Sequence, residues 1–138
     1  MMTTTMVAVA VSSDMLASPA LSRGFNLKPH CATPLSEGSV SLRSADPRAK
    51  PIIDPCYLSD TAGADLSTLV AGIQLARAVV AQPAFDELRG EELMPGPSVV
   101  TEEELRSYVR AHVDTGYHPG NVRAIATALP CGATVQRQ

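Results

Sequence analysis

Aromatic side chains are scarce in this chain, which has no tryptophan, two phenylalanines and three tyrosines among 138 residues. Any core must therefore be built mainly from aliphatic groups, and an apolar content of 45% is enough for one domain of ordinary size. Charge of one sign is lacking too. Eleven Lys and Arg against fourteen Asp and Glu leave a formal net charge of -3. No basic stripe marks a nucleic-acid partner, and no acidic block marks a solvated tail. Cysteine is sparse and scattered, at Cys31, Cys56 and Cys131. Without a C-x-x-C or H-x-x-x-H spacing no metal site is expected. An odd number of thiols fits reduced packing cysteines in a cytoplasmic protein. The apolar run at residues 6–11, M-V-A-V-A-V, has no Lys or Arg before it. It is also far shorter than the roughly 20 residues a membrane-spanning helix needs, so no membrane span is expected.

Proline is what the chain has in excess, eleven in all. Several fall between residues 29 and 55, which predicts extended segments and turns there, because proline fixes φ and removes a donor. Residues 1–23 have no clear pattern beyond the Val/Ala alternation, which reads as a strand or a disordered start. Residues 25–35 are limited by Pro29 and Pro34 to an edge strand. Gly38 opens a strand with Val40 and Leu42 on one face and Ser39, Ser41 and Arg43 on the other. Ala45-Asp46-Pro47 is a turn signal. Residues 51–55 form a second short extended stretch bracketed by prolines.

The strongest periodicity predicts a helix over residues 65–82. Leu66, Leu69, Val70, Ile73, Ala76 and Val80 recur at three- and four-residue steps, with Gln74, Arg77 and Ala81 off the stripe. Asp65 stands where a cap would accept from free N–H groups, and Pro83 enforces a stop. Residues 84–99 read as irregular. Thr101-Glu102-Glu103-Glu104 has the form of a capping box, with Val100 and Leu105 placed as a hydrophobic staple. The acidic first turn suits the positive end of the helix dipole. Leu105, Tyr108, Val109 and His112 share one face of that second helix, which should end near Asp114. Strands and helices are segregated rather than alternating, so the expected class is α+β: a mostly antiparallel sheet with helices packed on one face.

Composition and periodicity stop at fold class. Two segments carry more: Gly38 to Pro47, G-S-V-S-L-R-S-A-D-P, and Pro51 to Leu58, P-I-I-D-P-C-Y-L. Together they resemble the opening of the carboxy-terminal, substrate-binding domain of glucose-methanol-choline (GMC) flavin oxidoreductases. The helix from Asp65 to Arg77, Pro95-Gly96, Glu103-Glu104-Leu105 and Tyr117-His118-Pro119 follow in family order. The resemblance places a partial domain of that kind at residues 24–119, with 120–138 a divergent tail. It implies an FAD-dependent oxidoreductase acting on CH-OH groups, in which an alcohol becomes a carbonyl and hydride passes to flavin N5. The histidine base of that reaction maps to His118. An imidazole, with an ordinary pKa of about 6.5, is a neutral base at neutral pH. Pro119 would hold Tyr117-His118 extended.

Several departures from the family accompany these matches. The family continues Tyr-His-Pro into Gly-Thr-Cys, whereas Gly120-Asn121-Val122-Arg123 stands here; one choice of codons for it (GGG AAC GTG CGC), read one base out of frame, gives Gly-Thr-Cys, as a frameshift would. Cys56 stands where the family favours Asn, and Leu35 and Glu37 where it favours basic residues. No G-x-G-x-x-G loop occurs, so the FAD implied by the resemblance has no binding residues in these 138 positions. The expectation is a fragment inactive alone. The alternatives are a subunit completing a separate FAD-binding half, or a non-catalytic α+β interaction module. An alcohol substrate and a tendency to self-associate follow from the same picture. His112 reads as a packed residue, and His30 beside Cys31 as no thiol activator, because strand neighbours face opposite ways. Glu102, Glu103 and Glu104 read as a solvated helix start, and Arg43 and Arg77 as surface charges or contacts to a missing half.

Overall fold

A computed structural model describes residues 24–117 in full, together with the backbone of two short strands at residues 6–9 and 122–124. In chain order the elements are β1 (Met6–Val9), β2 (Gly24–Leu27), β3 (Gly38–Ser41), β4 (Ile52–Asp54), α1 (Ala64–Val80), a 3₁₀ turn (Pro83–Phe85), β5 (Glu92–Met94), α2 (Glu102–His112) and β6 (Val122–Ala124). No helix among the described residues is long and apolar enough to cross a membrane.

The helical layer follows from the periodicity. All six stripe residues of α1 are buried, and they meet Leu105, Tyr108 and Val109 of α2. Ile73 and Val109 are fully inaccessible and Leu105 nearly so. Burying one such side chain is worth roughly 1.5–3 kcal/mol, which makes this contact the centre of the molecule. Thr101 caps α2 as expected: its hydroxyl accepts the Glu104 N–H at 3.2 Å, and Glu104 accepts the Thr101 N–H at 2.8 Å. The staple does not close. Val100 is 67% exposed, and its contribution is a backbone N–H donated to Glu104 at 2.9 Å. Those backbone bonds hold the Glu104 carboxyl below the usual range.

The class is α+β, and the antiparallel sheet is the β3–β4 hairpin, with Val40 opposite Ile53. The other ladders run parallel: β1 with β2 and with β5, and β3 with β6. Each joins segments separated by a long stretch of chain, as a parallel pair requires. Alternating apolar residues identify a strand without naming its partner. β2 is an edge strand of its sheet. Its Phe25 and Leu27, with Met94 of β5, pack on the helical core, and the Phe25 ring lies 5.6 Å from that of Phe85. The 84–99 segment is thus more ordered than its glycines and prolines suggest.

Arg77 explains that order and corrects its reading as a surface charge. Its guanidinium grips Glu92 at 3.0–3.1 Å and also donates to the carbonyls of Val99 at 2.8 Å and Gly96 at 3.1 Å. The planar fork ties the whole return segment to α1. Arg43, by contrast, is at the surface, donating to the Lys50 carbonyl at 3.3 Å. Arg77→Ala should destabilise the fold by about 2 kcal/mol, and Arg77→Lys by less, since charge survives but the fork does not. Urea unfolding midpoints of the three proteins check this order.

Candidate functional site

Between the hairpin and the helical layer lies an open cavity of about 540 Å³. Val40, Ile53 and Pro55 form its hairpin wall, Asp65 and Leu69 its α1 wall, and residues 113–116 close one side. The segment that leads from α2 toward His118 is therefore part of the cavity's rim.

Asp65 holds this arrangement, and not in the capping role its position suggests. The helix starts one residue earlier, at Ala64, with Gly63 as its N-cap in the left-handed region at φ 65°. The Ala64 N–H is taken by the Asp60 carboxylate at 2.6 Å. Asp65, 4% exposed, turns away from the helix. It accepts the backbone N–H groups of Leu35 and Ser36, both at 2.8 Å, and the Ser36 hydroxyl at 2.5 Å. The same hydroxyl accepts the Asp60 N–H at 3.2 Å. One serine thus links two carboxylate-bearing turns and pins the chain just before β3. Burial pushes the Asp65 pKa up, but the Ser36 hydroxyl and the two N–H donors outweigh it and leave the carboxyl below its ordinary value.

Cys31 borders the cavity with its Sγ 3.8 Å from Asp65. Burial, then the neighbouring carboxylate, pushes this thiol up, so it is a packing thiol rather than a nucleophile at neutral pH. Cys56 is raised as well, first by its hydrogen bond with Asp54. His112 is packed, as expected: its Nδ1 lies 2.9 Å from the Tyr108 carbonyl and its ring stacks on Tyr108 at 4.3 Å. Burial and then Glu92 push the Tyr108 hydroxyl up to about 12.

The base expected from the sequence, His118, lies outside the described residues, as do Pro119 and Cys131. Tyr117 is described, 74% exposed, and it is not extended: its φ is 62°. Proline restrains only the residue directly before it, so Pro119 leaves Tyr117 free to turn. The turn is held by the Tyr117 N–H on the Thr115 hydroxyl at 2.9 Å, and by the Thr115 N–H on Asp114 at 2.7 Å. Ser36 and Asp60 escaped the sequence reading, and Asp65 reads there as a cap, because no fixed spacing marks a contact made across 24–29 residues.

The family model described as GMC oxidoreductase matches residues 34–124. The chain belongs to the GMC oxidoreductase family. Its relatives include choline oxidase of Arthrobacter globiformis, 47% identical over 106 residues that make up 76% of this chain and 19% of that protein. Oxygen-dependent choline dehydrogenase of Rhizobium rhizogenes is 38% identical over 111 residues, 80% of this chain and 20% of that protein. Alcohol dehydrogenase (acceptor) of Pseudomonas putida is 37% identical over 100 residues, 72% and 18%. The chain thus matches about a fifth of the length of these relatives.

Two outcomes follow from the site. Asp65 is lowered in the folded state, so its stabilisation is complete above the ordinary carboxylate pKa of about 3.9 and is lost as pH falls through the folded value. Urea midpoints measured from pH 6 downward should fall more steeply in the wild type than in Asp65→Asn, which at neutral pH should be less stable by about 3 kcal/mol. Cys56 sits at φ 44°, a region where asparagine is several-fold enriched. Cys56→Asn should raise stability by about 0.5 kcal/mol, seen as a higher melting temperature.

Proposed function

We propose that this chain is the substrate-side portion of an FAD-dependent oxidoreductase acting on the CH-OH group of a small alcohol, choline by the names of its relatives. The observation that carries this reading is the family match over residues 34–124, which takes in Tyr117-His118-Pro119 in family order. His118 is the base. It takes the hydroxyl proton, and the alkoxide-like carbon then releases hydride to an acceptor held outside these residues. FAD, when bound, supplies that acceptor.

The residues described here do not fit FAD itself. Gly63 leads into the N-terminus of α1, where a pyrophosphate would otherwise be welcome. Asp60 and Asp65 flank it, however, and Asp60 already accepts the first free N–H. Two carboxylates repel an anion at that helix end. The flavin is therefore held by another portion, in the same polypeptide or in a separate one.

A separate flavin-binding half completed by this chain is the second reading, favoured by the hairpin. Leu42 and Ile53 are 70% and 67% exposed, an apolar surface that a larger partner would cover.

Purified alone, the 138-residue chain should show no visible flavin absorbance; stoichiometric bound flavin would overturn the assignment. Joined to the flavin-binding portion of a GMC oxidoreductase, covalently or in trans, it should support choline-dependent flavin reduction. His118→Ala in that enzyme should lower kcat by roughly 10²–10⁴-fold. Undiminished turnover in that variant would remove His118 from the base's role.

A further inference from the structure

Two close approaches, each possible only through a glycine, bracket one dipeptide. On one side Pro29 lies against the middle of α1 at Gly72, where a Cβ would sit 2.6 Å from the Pro29 Cβ. Glycine inside a helix costs about 1 kcal/mol relative to alanine, so its presence beside the buried Ile73 has a packing reason. On the other side the ring of His30 lies against Gly116. A Cβ at Gly116 would overlap the His30 Cε1 and stand 3.0–3.1 Å from both ring nitrogens. Pro29 and His30 are thus wedged between the central helix and the segment that follows α2. That segment has little slack. Val113 donates its N–H to Val109 at 2.8 Å, and the Asp114, Thr115 and Tyr117 bonds fix the turn beyond it.

We infer that Pro29 and His30 are positioning residues: their wedge sets how far the backbone at Gly116, two residues before His118, stands from α1. This rests on His118 being the base proposed above. Proline fixes its own φ, so the wedge is stiff on the helix side. The flat imidazole gives the Gly116 side a defined stop. Geometry of this kind matters because a misplacement of about 1 Å can cost a reaction about 10²-fold.

The test uses the 138-residue chain, which has only three histidines and so three imidazole Hε1 signals by NMR, assignable through single His→Gln variants. His30→Ala should displace the His118 signal. Gly116→Ala, which drives a Cβ into the His30 ring, should displace it as well. In the double variant the ring is gone and the clash with it is removed, so the His118 signal should coincide with that of His30→Ala. This is a non-additive cycle, as expected of residues in contact. The His112 signal, held by Tyr108, should stay in place throughout and reports that the core is intact. An unmoved His118 signal in His30→Ala, or additive displacements, would overturn the inference. If Gly116→Ala does not fold, His30→Ala decides alone by the same signal. The readout needs neither flavin nor alcohol, so it is independent of whether His118 proves to be the base.

Discussion

Among the described residues Asp65 is the charged group that is buried, and the placing of the hairpin against the helices depends on it. A carboxylate removed from water is costly unless every lone pair finds a donor. Here two backbone N–H groups and a hydroxyl meet it, all from residues 35 and 36. Those residues stand immediately before β3, so satisfying the charge fixes where the hairpin begins relative to α1. The α1 stripe and α2 would pack together without this bond. The hairpin would not be held over them, and the cavity between would lose one wall.

The two layers are stabilised in different ways. The helical layer is held by apolar contact, with Ile73, Leu105 and Val109 almost wholly out of contact with water and Phe25, Leu27 and Met94 packed against them from the other sheet. The hairpin contributes little to that core. Val40, Leu42, Ile52 and Ile53 all remain exposed, on both faces of a narrow sheet. A hairpin with so little of its own surface buried is marginal in water and depends on tethers. Asp65 and the Ser36–Asp60 bond are such tethers, polar and directional where the helices use apolar area. The cavity therefore has one rigid wall and one wall set by hydrogen bonds.

Much of the helical layer was legible because its physics is local. The three- and four-residue recurrence of α1 named all six of its buried apolar side chains, and Thr101 with Glu104 named the start of α2. The hairpin was legible too, through alternation bounded by Gly38 and the prolines. What was not legible depends on partners distant in sequence. Alternation found β1, but nothing in it says that its neighbours are β2 and β5, running parallel. Glu92 gives no sign of Arg77 fifteen residues earlier, so β5 was hidden in a segment rich in glycine and proline. Asp65 was misread for a related reason. An acidic residue before an apolar stripe caps a helix by default, and only the tertiary position of Ser36 shows that its carboxylate is used elsewhere. For the site, the family order of Tyr117-His118-Pro119 was visible in sequence, whereas the left-handed turn at Tyr117 was not.

The same carboxylates that organise the cavity also limit what this part of the protein can bind. A helix start preceded by a glycine turn is a natural anion site, since free N–H groups and the dipole both favour negative charge. At α1 this potential is consumed internally. Asp60 takes the first N–H, and Asp65, one residue into the helix, adds a second negative charge to stabilise the hairpin tether. Anchoring the hairpin wall of the cavity and cradling a pyrophosphate are thus incompatible at this helix end. A protein that needs both must place its phosphate site on another glycine turn with another helix behind it. At this helix end the charge placement therefore serves the cavity, with Asp60 and Asp65 both spent on contacts within the chain.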